Sequence, residues 1–125
     1  MCRELSRLRH LAHQMKYFNE RTSGFASRAE FQCFQLLKLR ERAGEIKDIQ
    51  CQVTSPLTAG ITHKTDFKFF DIQRNAYVWA EYKGFEDARW RMIRKLWKEH
   101  GPGVLEIYKG AGLRISCTET ITPKG

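Results

Sequence analysis

No apolar run in this chain approaches the ~18 residues that a membrane-crossing helix needs, so no span is expected. The first residues lack the long apolar core of a secretory signal, which makes the cytoplasm the expected compartment. Four cysteines are scattered at Cys2, Cys33, Cys51 and Cys117, with no C-x-x-C pair and no histidine at finger spacing. That pattern argues against a structural zinc site or a disulfide framework, and leaves buried thiols in a reducing compartment as the default. Repeats and low-complexity tracts are absent too. A chain of 125 residues has room for one modest core and not for two.

What the chain does have is positive charge: 22 Lys and Arg against 14 Asp and Glu, a net +8. Many proteins are basic, so this balance favours nucleic acid as a partner without deciding it. Leu5, Leu8, Leu11, Ala12, Met15 and Phe18 recur at helical spacing opposite Arg3, Arg7, His10 and Gln14, an amphipathic helix or an arm that becomes one on docking. Thr22-Ser23-Gly24 breaks it. Ser27 reads as an N-cap with Glu30 three residues on and Gly44 as the stop, which predicts a helix over roughly 28–43. Ile49, Cys51 and Val53 alternate as a half-buried strand, and 55–60 reads as loop.

Two strands are expected next, at about 62–70 and 76–83, then an amphipathic helix over about 87–100 that Gly101-Pro102-Gly103 ends. A buried strand at 104–108, a turn at 109–112, a last strand at about 113–118 and a frayed end at 123–125 complete the reading. The order predicts an α/β (α+β) fold, a mixed sheet flanked by helices. The arm would occupy 1–22 and the single domain 23–125.

The most informative residues lie in the two middle strands. Asp66 sits in Thr65-Asp66-Phe67, and fourteen residues later comes Glu81-Tyr82-Lys83-Gly84. Side chains two apart on a strand share a face, so Glu81 and Lys83 project together. If Ile72-Gln73-Arg74-Asn75 is a four-residue hairpin loop, Asp71 pairs with Ala76 and Asp66 comes opposite Glu81. Adjacent carboxylates repel and call for a cation, and oxygen-only ligation suits Mg²⁺. Lys83 beside that ion could orient a water and offset phosphate charge. A solvated strand face is the plainer reading of the same three residues.

Glu30 falls among Ala29, Cys33, Phe34 and Leu37 at ~100° per residue, on the face its helix should bury. A carboxylate there needs a partner or a cation, although a capping box with Ser27 also accounts for it. In the second helix Trp90, Met92, Ile93, Leu96 and Trp97 fill one arc, while Arg91, Arg94, Lys95 and Lys98 fill another with no acid between them. A phosphate-backbone track is the functional reading of that second arc. The tryptophans read as core rather than as base-stacking platforms. Lys64 shares the face of Asp66 and could reach phosphate. His63 reads as a plain histidine at a loop-to-strand junction, with a general base as the sharper alternative.

These residues resemble the PD-(D/E)xK endonuclease superfamily over roughly 17–109. Within it the chain is similar to small phage endonucleases through Lys16-Tyr17-Phe18-Asn19, Ser27-Arg28-Ala29-Glu30, Ala43-Gly44-Glu45-Ile46, Thr65-Asp66-Phe67 and Glu81-Tyr82-Lys83-Gly84. The arrangement is also similar to that of phage junction-resolving endonucleases. Thr65 stands where the superfamily's motif usually has proline.

The resemblance implies a restriction-endonuclease-like core, with Asp66 and Glu81 ligating Mg²⁺ and the Tyr82 carbonyl joining them. Mn²⁺ is expected to substitute. Lys83 would orient the water, and Glu30 would hold a second metal or a metal-bound water. The expected function is a Mg²⁺-dependent endodeoxyribonuclease in phage DNA processing, acting in the bacterial host cytoplasm, with branched DNA or a Holliday junction as a candidate substrate. The rivals are a non-catalytic DNA-binding module on the same fold and an RNA-directed nuclease. Paired cuts at a junction suit a homodimer, and the apolar arc of Leu5, Leu8, Leu11, Ala12 and Met15 is the expected contact.

Overall fold

The computed structural model describes Phe25 and residues 27–124. The arm at 1–22, its apolar arc and the dimer contact expected there lie outside the described residues. Helix α1 (Arg28–Arg42) begins where the Ser27 hydroxyl accepts the Glu30 N–H at 3.0 Å, as the N-cap reading expects. It ends at Ala43, and Gly44 follows at φ 81°, in the left-handed region where glycine carries no Cβ penalty.

Five strands follow in one sheet: β1 (Ile46–Thr58), β2 (Ile61–Asp71), β3 (Ala76–Tyr82), β4 (Val104–Lys109) and β5 (Ser116–Ile121). Their spatial order matches their chain order. Pairing is antiparallel throughout except between β3 and β4, which run parallel. Helix α2 (Ala88–His100) makes that parallel crossover. The sheet is therefore mixed, within an α+β architecture.

Alternation on β3 and β4 divides the core into two layers. Val78, Ala80 and Tyr108 join Phe67, Phe69, Cys33, Phe34 and Leu37 beneath α1. Trp79, Leu105 and Ile107 join Trp90, Ile93 and Trp97 beneath α2. Phe67, Phe69 and Trp97 are fully buried, each removing enough apolar surface for roughly 2–3 kcal/mol. Of the apolar arc expected on α2, Met92 is 43 % exposed and takes no part in the core. No helix among the described residues is long and apolar enough to cross a membrane.

Several local expectations need correction. Residues 55–60 are not loop, because β1 continues to Thr58 and only Ala59-Gly60 turn the chain. Both have positive φ, 48° and 80°, the signature of a two-residue type I′ hairpin. Pro56 is tolerated because β1 is an edge strand and its register with β2 slips between Pro56 and Thr58, places where a missing N–H disturbs the ladder least. The last strand starts three residues later than expected, after a 3₁₀ turn at Gly112–Arg114. Lys124 is not frayed, since its N–H donates to the Lys98 carbonyl at 2.9 Å, and Gly125 lies outside the described residues. Cys33 is buried as the default reading had it, but Cys51 and Cys117 are exposed.

Candidate active site

The site is built where β2 and β3 part. Their register runs from Asp71–Ala76 to Phe67–Ala80, the pairing that the four-residue loop predicts. One step further stand Asp66 and Glu81, but the ladder stops there. The Asp66 carboxylate instead accepts the Tyr82 N–H at 2.9 Å, a side chain replacing a backbone acceptor. Beyond this fork β3 continues beside β4, with Glu81 paired to Ile107 and Tyr82 to Tyr108, while residues 61–65 of β2 pair only with β1.

Glu81 is buried to 3 % exposure on the α2 side of the sheet, the face of Trp79. Its Oε1 lies 2.8 Å from His63 Nε2. Its Oε2 lies 3.3 Å from Lys83 Nζ and has no hydrogen-bond partner. Lys83 thus shares the face of Glu81, as strand alternation predicts, and its ammonium sits 4.4 Å from the centroid of the Trp90 ring, a cation–π contact.

Glu30 comes from the other side, in the first turn of α1, and is 5 % exposed. It hydrogen-bonds the Asp66 carboxyl. Two carboxyls can share such a bond only if one is protonated. Burial first, then this bond and the charge of Glu30, raise Asp66 to about 8, with Glu81 adding to the rise and the Tyr82 N–H opposing it. Among the described residues no three His, Cys, Asp or Glu side chains stand together as a ready metal cage. The acids form two pairs instead: Asp66 with Glu30, and Glu81 with His63.

His63 is the residue that sequence alternation hides. Alternation alone would put it on the side of β2 that carries Thr65, Phe67 and Phe69, opposite Asp66 and Glu81. The twist of the long β1–β2 hairpin turns its free end toward α2, where Val53, Leu57 and Ile61 join the second core layer. His63 arrives against Trp90 and Trp97, with ring centroids 5.9 and 6.5 Å away. The only signal for it in the sequence is its proximity to Asp66.

The expected cationic residues lie at the surface. Lys64 is exposed on β2, in the part of the hairpin beyond the fork. Arg91, Arg94, Lys95 and Lys98 are all exposed on α2. Arg94, Lys95 and Lys98 line a cleft of about 200 Å³ with residues 119–122 of β5 and beyond. The helix supplies no acid to this arc, but β5 does: Glu119 pairs with Arg94. The three tryptophans are 7 % exposed or less, as core residues should be. On the far rim Glu86 accepts from Trp90 Nε1 and from Lys109 at 2.9 and 2.8 Å, tying the β3–α2 loop to the end of β4.

Comparison of the chain with protein-family models, curated proteins and solved structures gives no match.

Proposed function

We propose that this chain is a divalent-cation-dependent phosphodiesterase acting on DNA, an endonuclease of the PD-(D/E)xK type. One observation carries the reading. At the fork, Asp66 and Glu81 stand one step beyond the last β2–β3 pair, the charge of Glu81 acts on Asp66, and a buried Glu81 oxygen has no hydrogen bond. Three carboxylates and one lysine around a strand junction are an unfavourable charge arrangement without either a proton or a cation. Asp66 takes up the proton when no cation is bound.

These residues fit a hard divalent ion: Asp66 and Glu81 would hold it, with the Tyr82 carbonyl joining and Glu30 taking a second ion or a bound water. Such an ion, when bound, polarises a phosphoryl oxygen and makes water a nucleophile near neutral pH. Lys83, 3.3 Å from Glu81, would donate to a water and to phosphate oxygens there, and the Trp90 ring limits its reach. Glu30 holds the Asp66 carboxyl through their hydrogen bond. The net +8 charge and the arc of Arg91, Arg94, Lys95 and Lys98 supply attraction for the backbone, with Lys64 on the hairpin side.

A second reading, a DNA-binding module without catalysis, is favoured by the self-contained pairing of Glu81 with His63 and Lys83. The two separate in a cleavage panel of branched, flap, single-stranded and duplex DNA, with matched RNA, in Mg²⁺ or EDTA. Cleavage should require Mg²⁺ or Mn²⁺ and stop in EDTA, whereas charge-driven binding alone survives EDTA. Asp66→Ala or Glu81→Ala should abolish cleavage and leave the fold intact. Lys83→Ala should lose most of the rate and still bind the ion. Full activity in either carboxylate variant would overturn the assignment. Substrate preference across the panel decides whether branched DNA is the target, and sedimentation of the full chain at micromolar concentration decides on the homodimer.

A further inference from the structure

Glu81 is fixed by contacts that the proposed chemistry does not itself require. Its Oε1 is taken by His63 Nε2 at 2.8 Å, which leaves Oε2 as the oxygen turned toward Lys83. The imidazole that does this has little freedom. Its side chain is 13 % exposed, the Trp90 and Trp97 rings flank it, and its backbone is paired to Ser55 in the hairpin. A glutamate side chain has three torsions, and the His63 contact at one oxygen, beside the Lys83 contact at the other, fixes the plane of its carboxylate.

We propose that His63 is a positioning residue: its Nε2–H holds Glu81 Oε1 so that Oε2 alone is presented to a divalent cation beside Asp66. This rests on the reading of Asp66 and Glu81 as cation ligands. His63 touches neither substrate nor ion in this account. One N–H donor at Nε2 is all that the carboxylate oxygen needs. The arrangement is the mirror of a carboxylate orienting a ligand histidine, and partners of that kind influence affinity strongly. It also gives the end of the β1–β2 hairpin beyond the fork a task, since its packing against α2 brings His63 to Glu81.

The test is divalent-ion binding by the full chain, measured by titration calorimetry with Mn²⁺ and with Mg²⁺, next to thermal unfolding without either ion. His63→Ala should weaken binding about tenfold or more. In His63→Gln the amide nitrogen stands about as far from the backbone as imidazole Nε2, so affinity should return close to wild type. His63→Asn reaches only as far as Nδ1 and should bind as weakly as His63→Ala. A histidine that only fills space would shift the unfolding midpoint without this Gln-against-Asn split. Should His63→Ala fail to fold, the Gln and Asn variants decide alone. Wild-type affinity in His63→Ala, or His63→Gln no better than His63→Asn, overturns the proposal and leaves the carboxylate reading standing. A wild-type chain that binds neither ion removes both.

Discussion

At Asp66 burial and the charge of neighbouring carboxylates act in the same direction. Its carboxyl is held near pKa 8 against 3.8 for the free side chain, through burial and through Glu30 and Glu81. Between about pH 4 and about pH 8 the folded protein therefore keeps a proton that the unfolded chain has released. The folded state binds more protons over that window, so stability should fall as pH rises through it and level off above. Asp66→Asn removes the titration and keeps a partner for the Tyr82 N–H. Its unfolding midpoint, followed across this pH range without divalent ions, should vary less and exceed the wild-type value at the alkaline end. Added Mg²⁺ should raise the wild-type midpoint more in alkali than in acid, because it competes with the proton, and should do little for Asp66→Asn. A wild type at least as stable as the variant above pH 8 would mean that Asp66 is not strained by its neighbours.

The β1–β2 hairpin is the element on which the site depends, since it carries both Asp66 and His63. Its tip has alanine and glycine in left-handed backbone, at φ 48° and 80°. Gly60→Ala meets no atom within 4 Å, yet a Cβ in that conformation costs about 1 kcal/mol. Ala59→Asn should do the opposite and stabilise by a few tenths of a kcal/mol, because asparagine tolerates that region. Urea denaturation checks both signs, and equal midpoints for the two variants would contradict the turn geometry.

The same hairpin shows what could be read from residue order and what could not. Hairpin loop length and strand alternation are local, so the 72–75 loop, the Asp71–Ala76 register and the shared face of Glu81 and Lys83 were all legible. The helix caps at Ser27 and Gly44 were legible for the same reason. The length of β1 was not, because Pro56 argues for loop until its strand is known to lie at the edge. His63 was not, because twist accumulates along eleven residues of β2 and carries a side chain past the face that alternation assigns. Glu119 against Arg94 needed the β4–β5 pairing, which no helical periodicity contains.

For the whole molecule, charge sets how a polyanion would approach. The cationic arc starts at Arg91, next to the Trp90 on which Lys83 rests, and ends at Lys98. At 1.5 Å per residue it spans about 10 Å, about three phosphate rises of one strand. A strand lying on it would lead into the fork where Asp66 and Glu81 stand. Each cation engaged should add about one unit to the log–log dependence of affinity on salt, uniformly across sequences. Arg94→Ala/Lys98→Ala should therefore flatten the slope by up to two units, though less if Glu119 holds Arg94 in the complex as well. Glu119→Ala makes the sharper experiment. It frees Arg94 and removes an acid from the cleft that Lys95 and Lys98 also line, so binding should tighten and its salt slope steepen. Both should be measured in EDTA, so that the carboxylates at the fork do not contribute through an ion. An unchanged slope in the double variant, with Glu119→Ala equal to wild type, would put the nucleic acid on another face and leave the arc as solvated surface.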